Sequence, residues 1–503
     1  MTSSTPSVDG PMVILLVPLD ERPVSSELPG LIAAIAGAQI RVPPPATLPS
    51  MRSAGDVDAI AGWLGENAAG AAGAVISLEG LGLGGLVPSR IGSEPLERVI
   101  DRWSVLRGLG DSTYASVLVP RAPDSDDAFE DPEYWAAWGR TLHRLSTELG
   151  SDSSADPDAS SVPQEVRADW LSRRLRQHVL GLAALGLVSD GAIARLVVGV
   201  DDAVPCSLSA LAQRDLANWS ARLGVNDRVV VGPGADETGA VLTARLIADS
   251  ACAAPRVVIC CAEEGGLDRV APYETGPVIT TARNQLRAAG AVPVDDLVDE
   301  GPEGDAVLVV HAPQSAGDWA VAPPTTIDAS AAHRTAELVR RELDAGRAVA
   351  VADVAQPNGA DPALVRALLA NETFHRLDGF AAWNTAGNTL GTVAATLIVT
   401  LVARSNGSYR SEAAARHRRL RLIEDAAYMS SARARFRSER GLRPDRHDQI
   451  RDPKAASARV AELLNEALVE LGVPEFATVQ PEHVTFPWSR SFEIRLDAAA
   501  GER

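Results

Sequence analysis

Continuous runs of valine, isoleucine and leucine recur along the chain at 13–17, 74–77, 116–119, 196–200, 229–231, 257–261, 307–310 and 348–351. Runs without alternation are the pattern of strands buried on both faces. Between them, at 56–66, 96–107, 208–222 and 331–344, apolar residues fall at three- and four-residue spacing, which predicts amphipathic helices. Strands and helices in alternation predict βα units around parallel sheets, and hence an α/β fold. A (β/α) barrel needs about eight strands within roughly 250 residues, and these runs are spread more widely. Two Rossmann-like lobes, divided as 12–300 and 301–503, fit the spread better, with a barrel carrying additions as the alternative. Polar breaks fall at 151–162 and 295–305. From residue 395 the pattern turns helical. The arginine-rich stretch 410–440 predicts one or two surface helices, and 484–496 alternates like an edge hairpin.

Most apolar runs end in a polar cluster, and the strand carboxyl ends of a parallel sheet converge on one edge. The first run leads into Asp20 and Arg22, the second into a glycine-rich stretch ending at Arg90, and the fourth into Asp201-Asp202. The fifth leads into Asp236-Glu237, and the eighth into Asp353 and Asn358. A later block carries Trp383, Asn384 and Asn388. A lone aspartate after a strand is commonly a helix cap, and Asp202, Asp236 and Asp361 each precede a helical run. A cap needs one residue, whereas Asp201-Asp202 and Asp236-Glu237 supply two. Adjacent carboxylates suit general acid–base work because burial and repulsion split their pKa values. They suit a hard cation such as Mg²⁺ or Mn²⁺ as well.

Composition narrows the chemistry. Lys454 is the sole lysine among 47 basic residues, and it lies in a polar break, which leaves no Schiff-base or phosphate-loop lysine. A net charge of −19 argues against nucleic acid and anionic membranes as partners. The run 392–403 is too short to span a bilayer, and Cys206, Cys252, Cys260 and Cys261 read as buried free thiols, so a cytoplasmic protein is expected. The histidines show no metal-ligand spacing, so no structural zinc is expected, and only His311 follows an apolar run. No Gly-x-Ser-x-Gly elbow exists. Gly80-x-Gly82-x-x-Gly85 formally matches a dinucleotide fingerprint but sits in the second βα unit, and a tight loop lining a cleft is the other reading. Trp383 is either a sugar-stacking platform or an ordinary half-buried tryptophan.

Six blocks in order carry a family resemblance. They are Pro18 through Val24, Gly84 through Arg90, Asp201-Asp202-Ala203, Gly234 through Glu237, Asp353 through Asp361, and Trp383 through Thr392. Over residues 12 to 495 the chain resembles a bacterial family known as domain-of-unknown-function family 4127. The resemblance implies no particular reaction; it implies an association with sugar-uptake and glycosidase genes. The family pattern has Asp and Tyr near the second block, where this chain has Glu79 and Leu83.

These readings converge on a carboxylate-dependent hydrolase acting on a small carbohydrate, a glycosidase with no cofactor and N-acetylated sugars as one substrate class. The expected catalytic residues are Asp201, Asp202, Asp236 and Glu237. The expected substrate-binding residues are Asp20, Arg22, Arg90, Asp353, Asn358, Trp383, Asn384 and Asn388. A Mg²⁺- or Mn²⁺-dependent enzyme using the same acids, or a sugar- or nucleotide-binding protein, are the alternatives. The sequence leaves oligomeric state open.

Overall fold

The structure, a computed structural model, describes residues 10–151, 161–295, 305–314, 317–443 and 448–502. Most of the polar breaks expected at 151–162 and 295–305 therefore lies outside the described residues. Each predicted apolar run is a strand. The first sheet comprises β1 (Val13–Val17), β2 (Gln39–Arg41), β3 (Gly73–Ser77), β4 (Thr113–Val119), β5 (Arg195–Val200) and β6 (Val229–Pro233). It is parallel throughout, in the order β2-β1-β3-β4-β5-β6.

The second sheet comprises β7 (Arg256–Cys261), β8 (Val292–Val294), β9 (Asp305–His311), β10 (Val349–Asp353) and β11 (Gly379–Ala381). It too is parallel, in the order β11-β10-β9-β7-β8. Read from its first strand, this order repeats that of the first five strands of the first sheet. The chain thus contains one doubly wound topology twice, as two open sheets flanked by helices. The division expected at 300/301 falls inside the second sheet, because β7 and β8 pair with the strands that follow them. β2, β8 and β11 escape the sequence pattern because each is only three residues long, and β2 and β8 lie at exposed edges.

The two lobes meet around the helix Ala386–Ser405, which packs on the helix Thr238–Ser250 of the first lobe and on Val278–Ala289 of the second. This helix contains the apolar run 392–403. An added turn and a half at its start makes it long and apolar enough to cross a membrane by length and composition, but 94% of that window is buried inside the protein. Its close seating explains two of its glycines. A Cβ at Gly387 would lie 2.7 Å from Gly234 N, and one at Gly391 would lie 2.4 Å from Glu237 Cγ.

The C-terminal region differs from expectation in two ways. The arginine-rich stretch forms Ser411–Arg421, an eleven-residue π-helical segment Leu422–Ala432, and Arg433–Glu439. It is only partly a surface feature: Arg416 and Arg440 are exposed, whereas Arg421, Arg433 and Arg437 are buried. Their planar, many-donor heads reach internal acceptors, as with Arg433 to Asn358 O at 2.6 Å and Arg437 to Ala320 O at 2.8 Å. The expected hairpin at 484–496 pairs only through β12 (Val484–Thr485) and β13 (Arg495–Leu496). Between them, Trp488 and Ser489 adopt left-handed backbone at φ 55° and 51°, and the chain turns inward to the site. Nor are the cysteines buried: Cys206 and Cys252 are exposed, Cys260 and Cys261 half-buried, and all four are free thiols. Lys454 is exposed in the first turn of the helix Pro453–Leu471.

Candidate functional site

The loops that leave the carboxyl ends of β1, β3, β4, β5 and β6 come together, and loops following β10 and β11 join them from the second lobe. After β1 the chain turns at Asp20, whose Oδ1 accepts from Arg22 N at 3.0 Å and whose Oδ2 accepts from Arg22 Nη2 at 2.7 Å. Arg22 also donates from Nη2 to Asp236 Oδ1 at 2.6 Å, so one guanidinium clamps the loop after β1 to the loop after β6. Asn384, from the loop after β11, donates to Asp236 Oδ2 at 3.0 Å. Asn388 accepts from Asp236 N at 3.1 Å.

A second group forms at β3, β4 and β5. Arg90 donates to Asp201 Oδ2 at 2.6 Å and to Glu130 Oε2 at 2.8 Å. Arg121 pairs with Asp131 at 2.7 Å and Glu130 at 3.3 Å, and approaches Asp202 at 3.6 Å. The inward-turning segment 486–494 ties the groups together. Arg490 donates to Glu130 Oε1, and to Glu493 Oε1 at 3.0 Å, while Glu493 stands 3.9 Å from Arg22. Trp488 lies between these arms: Arg22 and Arg490 each stand 4.5 Å from its ring centroid, and its indole N–H donates to Glu21 Oε1 at 2.7 Å. Cation–π contact with a tryptophan face suits arginines whose charges are already paired.

Asp20, Asp201, Asp236, Glu130 and Glu493 are buried, each against at least one guanidinium within hydrogen-bond reach. Asp202 is different. Its side chain retains 28% exposure and its nearest guanidinium is 3.6 Å away. Burial, then the Asp201 carboxylate, pushes its pKa up to about 7, as expected for the member of an acid pair that lacks a clamp. Its backbone is left-handed, at φ 22°, a conformation aspartate and asparagine tolerate better than most residues. Nor does it cap a helix: the following helix, Leu208–Arg222, is capped by Ser207.

The other expected residues are placed as follows. Asn358 lies at the margin and donates to both oxygens of Asp318 at 3.1 Å; Tyr273 OH donates to the same carboxylate at 2.8 Å. Glu237 is fully buried; Gln285 donates to its Oε1 at 2.7 Å and burial raises its pKa to about 7. Trp383 is buried, its N–H donating to Thr392 at 3.0 Å, and it packs in the core with an edge on the cavity beside Asp236. Asp353 is buried in the second lobe and accepts from Asp361 N at 2.6 Å. His311, 3.2 Å from Asp361 Oδ2 and 3.0 Å from Thr335, is wholly internal. Asp361 caps the helix Pro362–Ala370.

The glycine-rich block is likewise internal. Its helix opens immediately after β3, and a Cβ at Gly80 would meet Pro18 O at 2.4 Å, so the glycine serves close packing of two loops. Glu79 is buried and accepts from Leu118 N at 2.8 Å; burial raises its pKa to about 7. Glu274, behind Glu237, accepts from Gly387 N at 2.7 Å and from Thr281 Oγ1 at 2.9 Å, and burial raises its pKa to about 8.

Sequence reasoning missed Glu130, Asp131, Arg490, Glu493 and Trp488 because none follows an apolar strand run. It passed over Arg121, which does follow one, for want of an acidic neighbour. A cavity of about 40 Å³ is lined by Arg22, Asp236, Trp383, Asn384, Arg421 and Glu424, with room for roughly one or two waters. Among the described residues no three His, Cys, Asp or Glu side chains gather as a metal-ligand set.

The model of the protein family of unknown function DUF4127 matches residues 14–497. The chain belongs to the DUF4127 family. The match takes in both lobes and the inward-turning segment, so the whole ionic site lies inside the family's span. No curated protein and no solved structure gives a significant match.

Proposed function

We propose that this DUF4127 protein is a hydrolase acting on a small neutral carbohydrate, with Asp202 as general acid and Asp236 as the carboxylate facing the reaction. The reading rests on one contrast within the site. Asp20, Asp201 and Asp236 are each paired with an arginine within 2.7 Å, whereas Asp202 has no close guanidinium and keeps contact with solvent. A carboxyl whose pKa is raised to about 7, beside arginine-paired acids, can protonate a leaving oxygen while a neighbour stabilises positive charge or activates water.

The charge balance favours an uncharged substrate. Arg22, Arg90, Arg121 and Arg490 face Asp20, Glu130, Asp131, Asp201, Asp202, Asp236 and Glu493, so acids outnumber bases and a phosphate would meet repulsion. The arginines already occupy the acids that a Mg²⁺ or Mn²⁺ ion would need, which places the metal-dependent alternative second. Asn384 supplies an amide beside Asp236 suited to a sugar hydroxyl.

The test is a screen of nitrophenyl glycosides, including N-acetylated ones, with and without chelator. The expected outcome is chelator-insensitive turnover that Asp202→Asn abolishes at unchanged melting temperature. Turnover that survives Asp202→Asn would remove Asp202 from the chemistry, and turnover lost on chelation would turn the reading to the metal.

A further inference from the structure

At the opposite ends of the strands lies a groove of about 660 Å³, within the range of small-molecule sites. Both lobes build it. The first lobe supplies the amino ends of β5 and β6, with Arg195, Arg228 and Val229, and Arg245 from the helix Thr238–Ser250. The second supplies Asn284 and Arg287 from the helix Val278–Ala289, and Val292 at the start of β8. Four arginines therefore line one groove in a chain whose net charge is −19.

The groove is built rather than incidental. Tyr114 OH donates to Asp249 Oδ2 at 2.7 Å, and Asp249 in turn holds Arg245 Nε at 2.8 Å and Arg195 Nε at 3.3 Å. One buttressed carboxylate thus fixes two guanidiniums and neutralises only one charge. Arg228 is anchored by a main-chain acceptor, Val188 O, at 2.9 Å. Arg228 and Arg287 have no carboxylate partner among the described residues. Asp227 is the sole acid in the lining.

The strand edge contributes donors. Leu196 N donates to Arg228 O, and Gly234 N donates to Val200 O. Even-numbered residues of β6 therefore bond to β5, and the N–H groups of Val229 and Val231 point away from it along the open edge. Asn284 Nδ2 takes up Val231 O at 3.3 Å and so removes an acceptor that would repel an anion.

We propose that this groove binds a small polyanion, a pyrophosphate-type or tricarboxylate ligand, which bridges the two lobes on the side opposite the ionic site. Charge-assisted bonds from arginine forks are the chemistry that recognises either anion. Because the ligand touches both lobes, its occupancy stabilises their junction. The proposal is independent of the glycosidase reading.

The experiment is isothermal titration of the full chain with inorganic pyrophosphate and, separately, with citrate, at constant ionic strength, alongside melting curves. The expected result is saturable one-to-one binding of at least one anion and a raised melting temperature. Binding of only pyrophosphate assigns a phosphate ligand, and binding of only citrate a polycarboxylate. The double variant Arg228→Gln/Arg287→Gln should weaken binding at least tenfold. Should it fail to fold, Arg287→Glu, at an exposed position, serves instead and should weaken binding similarly. Absence of saturable binding below millimolar concentration for both anions, or binding unmoved by these variants, would overturn the proposal.

Discussion

The two lobes share a strand order and use their strand ends in opposite ways. At β10 of the second lobe, Asp353 accepts from backbone N–H groups two and eight residues ahead, and Asp361 caps the helix that it precedes. Asp353 serves its own loop, and Asp361 reaches beyond it only to His311 at the end of β9. In the first lobe the partners are distant: Arg22 and Asp236 are 214 residues apart, Arg90 and Asp201 111, and Glu130 and Arg490 360. A polar cluster after a strand can thus be a local brace or one pole of a long-range network. The physical difference is the partner. Backbone N–H groups nearby satisfy an acid without fixing anything else, whereas a guanidinium brought from another element fixes two loops at once. A site that must hold several loops to a common geometry needs the second kind.

The sharpest way to break this comparison is at Asp202, the acid that belongs to neither kind. Asp202→Asn should lower turnover by about 10²–10⁴-fold with the melting temperature unchanged, because asparagine accepts the left-handed backbone and no guanidinium is orphaned. Below about pH 7 the wild-type acid holds its proton, so turnover should fall as pH rises through that value. A pH–rate profile without such an alkaline limb would count against Asp202 as proton donor. Asp201→Asn, by contrast, should lower the melting temperature, because it weakens the buried salt bridge to Arg90.

The next largest effect should come from the long-range network. Glu130→Gln leaves Arg90 and Arg490 buried without that carboxylate, and should cost about 3–5 kcal/mol in stability. A urea midpoint close to wild type would show that the network is not what joins the loops. In the second lobe, Asp361→Ala should cost less, about 1–3 kcal/mol, through loss of the helix cap and of the partner of His311. KM and kcat should both stay at wild-type values; a fall in kcat would place that cluster in the chemistry after all.

The smallest effect concerns a buried acid behind Glu237. Burial raises Glu274 from its usual 4.5 to about 8; the nearby Glu237 and Asp202 carboxylates add to the rise, and the hydrogen bonds from Gly387 and Thr281 oppose it. A raised carboxyl binds its proton more tightly in the folded chain. Its stabilising contribution is therefore fully present below about pH 4.5 and is lost as pH rises through about 8. Glu274→Gln, a mimic of the protonated form, should flatten the decline in melting temperature across that interval. An unchanged slope would assign the decline to other groups.

The strand runs, their parallel pairing and the convergence of Asp20, Arg22, Arg90, Asp201, Asp202, Asp236 and Asn384 were legible in the sequence, because apolar continuity dictates buried strands and parallel strands share an edge. Which of the loops at that edge meet was not legible. Nothing in the run of residues distinguishes Asp353, which braces its own loop, from Asp236, which is clamped from afar, since the distinction lies in where a guanidinium arrives. Nor could periodicity find Glu130, Trp488, Arg490 or Glu493, which reach the site from segments with no strand signal. The helix Ala386–Ser405 makes the same point in apolar terms. Composition alone fits a membrane or a core equally well, and only the two lobes closing around it decide for the core, because burial depends on what surrounds a segment and not on what it contains.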